Sequence, residues 1–166
     1  MFDKGDYIVY GVNGVCRVED ITTMDIRGVD SKKKYYKLSP VSNPSSKIFM
    51  PVDNDKVIVR RMVGKDEAKS LLDAVPGLSP IAIENDKQRE ELYKRIMMEG
   101  DPVECFRIII TLYNRKMERF AQGKKNTSVD EKYFKQIENN LYGELALALE
   151  CEKEDILKII KETAEA

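Results

Sequence analysis

The residues of this chain that could carry chemistry are few, and their spacing decides what they can do. Three cysteines stand at positions 16, 105 and 151, separated by 89 and 46 residues. Neither gap fits a Cys-x-x-Cys or zinc-binding pattern. No histidine occurs anywhere. That removes Ser-His-Asp and Cys-His catalysis, histidine metal sites and the usual general base near neutral pH. Asp53-x-Asp55 is an acidic loop pair without EF-hand spacing. Gly11-x-x-Gly14 lacks both the Gly-Lys-Ser/Thr ending and the following helix of a phosphate loop. Ser45-Ser46 has no base near it in the sequence. The expectation is a protein that is not an enzyme and uses no metal or cofactor. An odd number of cysteines reads most economically as small hydrophobes in a reduced, cytoplasmic chain.

Charge is the stronger signal. The 166 residues carry 28 Lys+Arg against 29 Asp+Glu, a net charge of −1. That near-neutral total hides a polar distribution. Residues 107–125 hold six cations (Arg107, Arg115, Lys116, Arg119, Lys124, Lys125) and one anion (Glu118), whereas residues 144–166 hold three cations and seven anions. A basic helix face ending in Gly123-Lys124-Lys125 suits a phosphate backbone, which lysine and arginine bind by displacing condensed counterions. It equally suits a solvated helix surface. A second group, Lys87, Arg89, Lys94 and Arg95, is interleaved with Glu84, Asp86, Glu90 and Glu91, the pattern of helix-spaced ion pairs.

The elements that must position these residues fall into two compositionally different halves. Residues 1–63 contain no alanine and one leucine, whereas residues 64–166 contain eight and ten. Val, Ile and Thr run the other way, 17 in the first 63 residues and 16 in the last 103. β-Branched residues fit a pleated sheet, and Ala and Leu fit a helix. This predicts an α+β protein: a small five-stranded SH3/Tudor-like β barrel over 1–63, then an all-α bundle over 64–166 that ends in an acidic extension, 150–166. Strands are expected at Asp6–Tyr10, Val15–Thr22 leading into Met24–Ile26, Lys34–Val41, Lys47–Val52 and Val57–Arg61, with a polar loop tip from Gly28 to Lys34. Helices are expected at Lys65–Val75, Asn85–Met98, Val103–Gln122, Ser128–Tyr142, Glu144–Leu149 and Lys153–Thr163. In the longest, Phe106, Ile110, Tyr113, Met117 and Phe120 recur at helical spacing and predict a buried stripe, with Arg115 and Arg119 on the opposite face. No apolar run approaches the roughly 18–20 residues of a membrane helix. The N-terminal MFDKGDYIVY lacks the basic-then-apolar pattern of a secretion signal.

Several runs taken in order resemble one family. In the first half they are Phe2-x-x-Gly5-Asp6-x-x-Val9-Tyr10, Gly14-Val15-x-x-Val18, Tyr35-Tyr36-x-Leu38 and Ile48-Phe49-Met50-Pro51-Val52. In the second half they are Asp86-Lys87-x-Arg89-Glu90, Gly100-Asp101, Glu118-Arg119-x-Ala121-x-Gly123-Lys124-Lys125 and the run Tyr142 to Leu149. Together they resemble the CarD/CdnL-type bacterial transcription regulators. The resemblance implies a monomeric, non-enzymatic protein with two binding surfaces. A Tudor-like domain would bind the RNA polymerase β subunit through a strand edge. A helical domain would contact promoter DNA, through backbone and minor groove, at the upstream edge of the transcription bubble. The polymerase positions carried over are Met24 and Phe49, where many relatives have arginine, with Arg27 and Lys47 as nearby cations. The DNA positions are Lys87, Arg89, Arg115, Arg119, Lys124 and Lys125. Relatives usually carry a tryptophan wedge before the Asp86 helix. This chain has no tryptophan, its counterpart being Ala82 or Asp86, and Ile81 and Ile83 are the apolar residues at hand. A protein-protein adaptor on the polymerase, with no DNA contact, is the alternative.

Overall fold

The computed structural model describes residues 1–28 and 30–165. Val29, within the expected loop tip, and Ala166 lie outside the described residues. The chain divides into two units, Met1–Met62 and Val63–Ala166.

The first unit is one antiparallel sheet of five strands: β1 (Tyr7–Tyr10), β2 (Val15–Thr23), β3 (Lys34–Pro40), β4 (Ile48–Pro51) and β5 (Val59–Arg61). Their order is β4-β3-β2-β1-β5. The fifth strand therefore returns beside the first, and β4 and β5 form the two edges. Period-2 alternation sends Ile8, Cys16, Val18, Tyr36, Leu38 and Met50 to one face, where they form the core, with Phe2, Ile48, Val52 and Val59 packed on them. Both edge strands contribute to this single core, so the sheet curls over it. The turn between β1 and β2 is tight because Gly11 and Gly14 take positive φ, 49° and 68°. The pairing of β2 with β3 shifts register between Val18 and Asp20, a bulge that puts Glu19 out of the alternation. Met24–Ile26, expected to continue a strand, is irregular.

The second unit contains α1 (Lys65–Ala74), α2 (Arg89–Glu99), α3 (Pro102–Ala121), α4 (Ser128–Leu149) and α5 (Lys153–Glu165). Each start has an identifiable cause. Asp101 accepts hydrogen bonds from Val103 N and Glu104 N, and Pro102 occupies the first turn of α3. Thr127 caps α4 by accepting from Asp130 N. Gly100 ends α2 in the left-handed conformation, φ 67°. The core gathers Leu72, Tyr93, Ile96, Phe106, Ile108, Leu112, Ile137, Leu145 and Ile156 from all five helices. The buried Glu144 carboxylate accepts from Val63 N at 3.0 Å, which satisfies a backbone donor at the entrance to the unit.

Two expectations are corrected. Helix α4 runs unbroken through Gly143 to Leu149. Leu141, Tyr142, Glu144 and Leu145 around the glycine are all buried, and that packing outweighs the weak helix propensity of one glycine. The stripe predicted on α3 is buried only at its start. Phe106 is enclosed, but Tyr113, Met117 and Phe120 are 52%, 49% and 69% exposed. The covered face is Cys105, Ile108, Ile109 and Leu112, roughly a third of a turn round the helix. Continued at helical spacing, that face reaches Arg115 and Arg119.

Candidate functional site

Two surfaces carry the predicted residues, one on each unit. In the sheet, β4 pairs with β3 and has no second strand partner among the described residues. Such an edge offers backbone N–H and C=O groups to another chain. Phe49, opposite Lys37 in the register, points away from the core and is 40% exposed. Lys47, just before β4, is held by Glu19 at 2.8 Å across the bulge. The Lys47 ammonium keeps the Glu19 carboxyl below its ordinary range. Met24 and Arg27 lie elsewhere, in the connection from β2 to β3. Met24 is half-buried and Arg27 exposed. The structure thus keeps Lys47 and Phe49 together at one edge and places Met24 and Arg27 in the loop that joins β2 to β3.

The helical unit treats its six predicted cations unequally. Lys87, Lys124 and Lys125 are exposed, and no ion pair engages them among the described residues. Arg119 is half-buried and donates from Nε to the Lys125 carbonyl at 2.9 Å, bracing the turn after α3. Arg89 and Arg115 are built into a network. Arg115 Nε lies 3.0 Å from Asp130 Oδ2, and the Asp130 side chain is only 3% exposed. The Tyr93 hydroxyl donates to Asp130 Oδ1 at 2.9 Å, and Arg89 Nη1 donates to the same tyrosine oxygen at 3.3 Å. In front, Asp86 Oδ1 accepts from Arg89 Nε and lies 3.7 Å from Arg115 Nη1. Burial works against the Arg89 charge, but its bonds to Asp86 and Tyr93 win and hold the guanidinium more firmly protonated. Arg89, and behind it Arg115, keeps the Asp86 carboxyl below its ordinary range. Burial, with acceptance by Asp130, raises the Tyr93 phenol despite Arg89.

The wedge segment is tied down as well. Ile81 N donates to Thr111 Oγ1 at 2.8 Å. Ile81 and Ile83 are half-buried and pack against the helical core. Ala82 between them is exposed, but a methyl group is too short to unstack a base step. Ala82 and Ile83 line an open depression of about 600 Å³ with Asn85, Gln88, Leu92 and Arg95.

Sequence reasoning missed Asp130 and Tyr93. The available signal was the placement of Arg115 and Arg119 on the same helical rows as Ile108 and Leu112. Cations there must find a carboxylate or a carbonyl. The exposed Tyr113–Met117–Phe120 face was missed with them.

Residues 2–63 match the family described as CarD-like/TRCF RID domain. The β unit is therefore a CarD-like RNA-polymerase-interacting domain. The chain carries a transcription-related, polymerase-binding module of a kind that is an interaction domain and not an enzyme class. The match spans the β unit and stops at Val63. No curated protein matches the chain. Among the described residues, no helix is long and apolar enough to cross a membrane.

Proposed function

We propose that this protein is a bacterial, cytoplasmic transcription regulator that binds the RNA polymerase β subunit and, through its helical unit, the promoter DNA backbone at the upstream edge of the bubble, modulating open-complex stability. The observation that carries the reading is the CarD-like/TRCF match over residues 2–63, on a sheet whose β4 edge has no second strand partner among the described residues. Strand addition along β4, with Phe49 in an apolar contact, is the mode this edge favours. Exposed Lys87, Lys124 and Lys125 favour contact with phosphates, which needs no base readout.

The test uses the full chain with purified polymerase. Phe49→Asp is expected to abolish retention on the β subunit. The promoter bubble lifetime is expected to change with the wild-type chain and to return to its basal value with Lys87, Lys124 and Lys125 all changed to glutamine. Each neutralised lysine that meets a phosphate should lower the slope of log affinity on log salt by about one.

Two observations favour the adaptor reading: Arg89 and Arg115 already face carboxylates, and both isoleucines of the wedge segment are half-buried against the helical core. A bubble lifetime that does not respond to the chain, with polymerase binding intact, assigns that role.

A further inference from the structure

Arg89 and Arg115 are anchored from behind and meet a third group in front. Behind them, Asp130 pairs with Arg115 at 3.0 Å, and the Tyr93 hydroxyl, itself bonded to Asp130, accepts from Arg89 at 3.3 Å. The two arginine side chains are about equally enclosed, 20% and 21% exposed, and the Asp86 side chain is 79% exposed. One oxygen, Asp86 Oδ1, serves both arginines: it accepts from Arg89 Nε and stands 3.7 Å from Arg115 Nη1. That second distance is too long for a hydrogen bond. Among the described residues, Arg115 Nη1 is accordingly a buried donor with no hydrogen-bond partner. A buried unmet donor costs free energy until an acceptor reaches it.

The charge balance points the same way. Two guanidinium groups face one buried carboxylate, and the exposed carboxylate of Asp86 completes neutrality. Asp86 can leave this position into water at little cost, because it is already solvated. Asp130 cannot. A tetrahedral oxyanion carries more acceptor oxygens than a carboxylate and is not tethered to the Asn85-capped turn that holds Asp86. It can satisfy Arg89 and Arg115 together. Exposed Lys87 adjoins in sequence and adds positive charge.

We infer that Arg89 and Arg115 form a phosphate-binding site that Asp86 occupies in the free protein, so that a phosphate group enters by displacing the Asp86 carboxylate. This deepens the DNA reading proposed above, since a backbone phosphodiester is one source of such a group. Asp86 would act as a built-in competitor that sets how tightly the helical unit holds phosphate.

The experiment compares wild type, Asp86→Asn and Glu162→Gln. The last removes the same charge from an exposed position on α5 and controls for net charge. Two probes separate the possible sources of phosphate: a forked duplex DNA, followed by fluorescence anisotropy, and inorganic phosphate, followed by thermal stabilisation. Asp86→Asn is expected to bind the fork about fivefold more tightly than Glu162→Gln, the worth of removing one unit charge about 4 Å from another in a wet site. The salt slope should steepen by about one. Adding Arg89→Gln to Asp86→Asn should erase the gain. Arg89 bonds Asp86 and Tyr93 and not Asp130, so this double variant keeps the Arg115–Asp130 pair. If Asp86→Asn gains stabilisation by inorganic phosphate and neither protein binds the fork, the site stands and the DNA reading falls. If Asp86→Asn behaves as Glu162→Gln toward both probes, the site is overturned, whatever the wild type does to the bubble lifetime.

Discussion

Arg115 lies 3.0 Å from Asp130, and that pair joins α3 to α4 where the exposed and buried faces of α3 part. On one side of it the helix is covered. On the other, Tyr113, Met117 and Phe120 stand open to solvent. An ion pair closes the end of this helix interface where apolar packing would be the simpler solution. Removing one partner of a buried pair is much worse than lacking the pair, because the remaining charge keeps its burial and loses its compensation.

Asp130→Ala is therefore expected to destabilise the helical unit by about 3–5 kcal/mol, read as a lower urea midpoint. Lys135→Ala, five residues along α4 and exposed, should shift the midpoint by less than about 0.5 kcal/mol. Equal effects of the two substitutions would remove the network from the account of stability.

Gly143 offers the opposite sign. It lies inside α4, where an alanine is worth roughly 0.5–1 kcal/mol over glycine. An added Cβ would meet Lys153 Cε at 3.3 Å, the movable end of a flexible side chain. Gly143→Ala should raise the melting temperature, and differential scanning calorimetry of the full chain would show it. A fall would mean that Lys153 cannot yield.

The three thiols should react in order of access. Cys16 and Cys105 are buried and Cys151 is half-buried. Burial pushes the Cys16 thiol up to about 11 from its ordinary 9.0. Burial, with Asp155 and Glu152 nearby, also raises Cys151. Iodoacetamide at pH 8 should label Cys151 first, more slowly than a free thiol, and leave Cys16 unlabelled until the sheet unfolds. Mass spectrometry of native and urea-treated protein reads this directly. The neutral Cys16 thiol favours the folded state fully below pH 9, and that contribution is lost as pH rises toward 11.

Acid should act through three paired carboxylates. Asp6 is lowered by accepting from Asp3 N and by Arg61, Glu19 by Lys47, and Asp86 by Arg89. For a lowered carboxyl the stability is present above its ordinary value, 3.8 for Asp and 4.5 for Glu, and is lost as pH falls through the lowered one. The urea midpoint should hold steady from pH 6 to about 5 and then decline. Lys47→Gln should shrink the part of that decline due to Glu19, and a profile identical to wild type would discount the pair.

Strands were legible because alternation is a local property: each of β1 to β5 matches an expected run to within about two residues. The facing of α3 was not. Two apolar rows of similar strength run along that helix, and only the neighbouring helices decide which is covered. The arginines that continue the covered row made it look like a surface. The partner of Arg115 was not legible either: Asp130 stands in the first turn of α4, where an acid is ordinarily explained by the helix dipole, and Arg119 turns to the Lys125 carbonyl instead. The Phe49 edge was legible in type, since its residue identities resemble the family's, but the separation of Met24 and Arg27 from Lys47 and Phe49 depended on strand order.

The bond from Val63 N to the Glu144 carboxylate spans 81 residues, and it has a consequence for how the chain is made. Every strand pairing of the sheet lies within the first 61 residues, so that unit has all its partners as soon as those residues leave the ribosome. The helical unit cannot satisfy its own first backbone donor until α4 is nearly complete. Synthesis therefore imposes an order: the polymerase-interacting module can mature while its neighbour is still a growing, open set of helices.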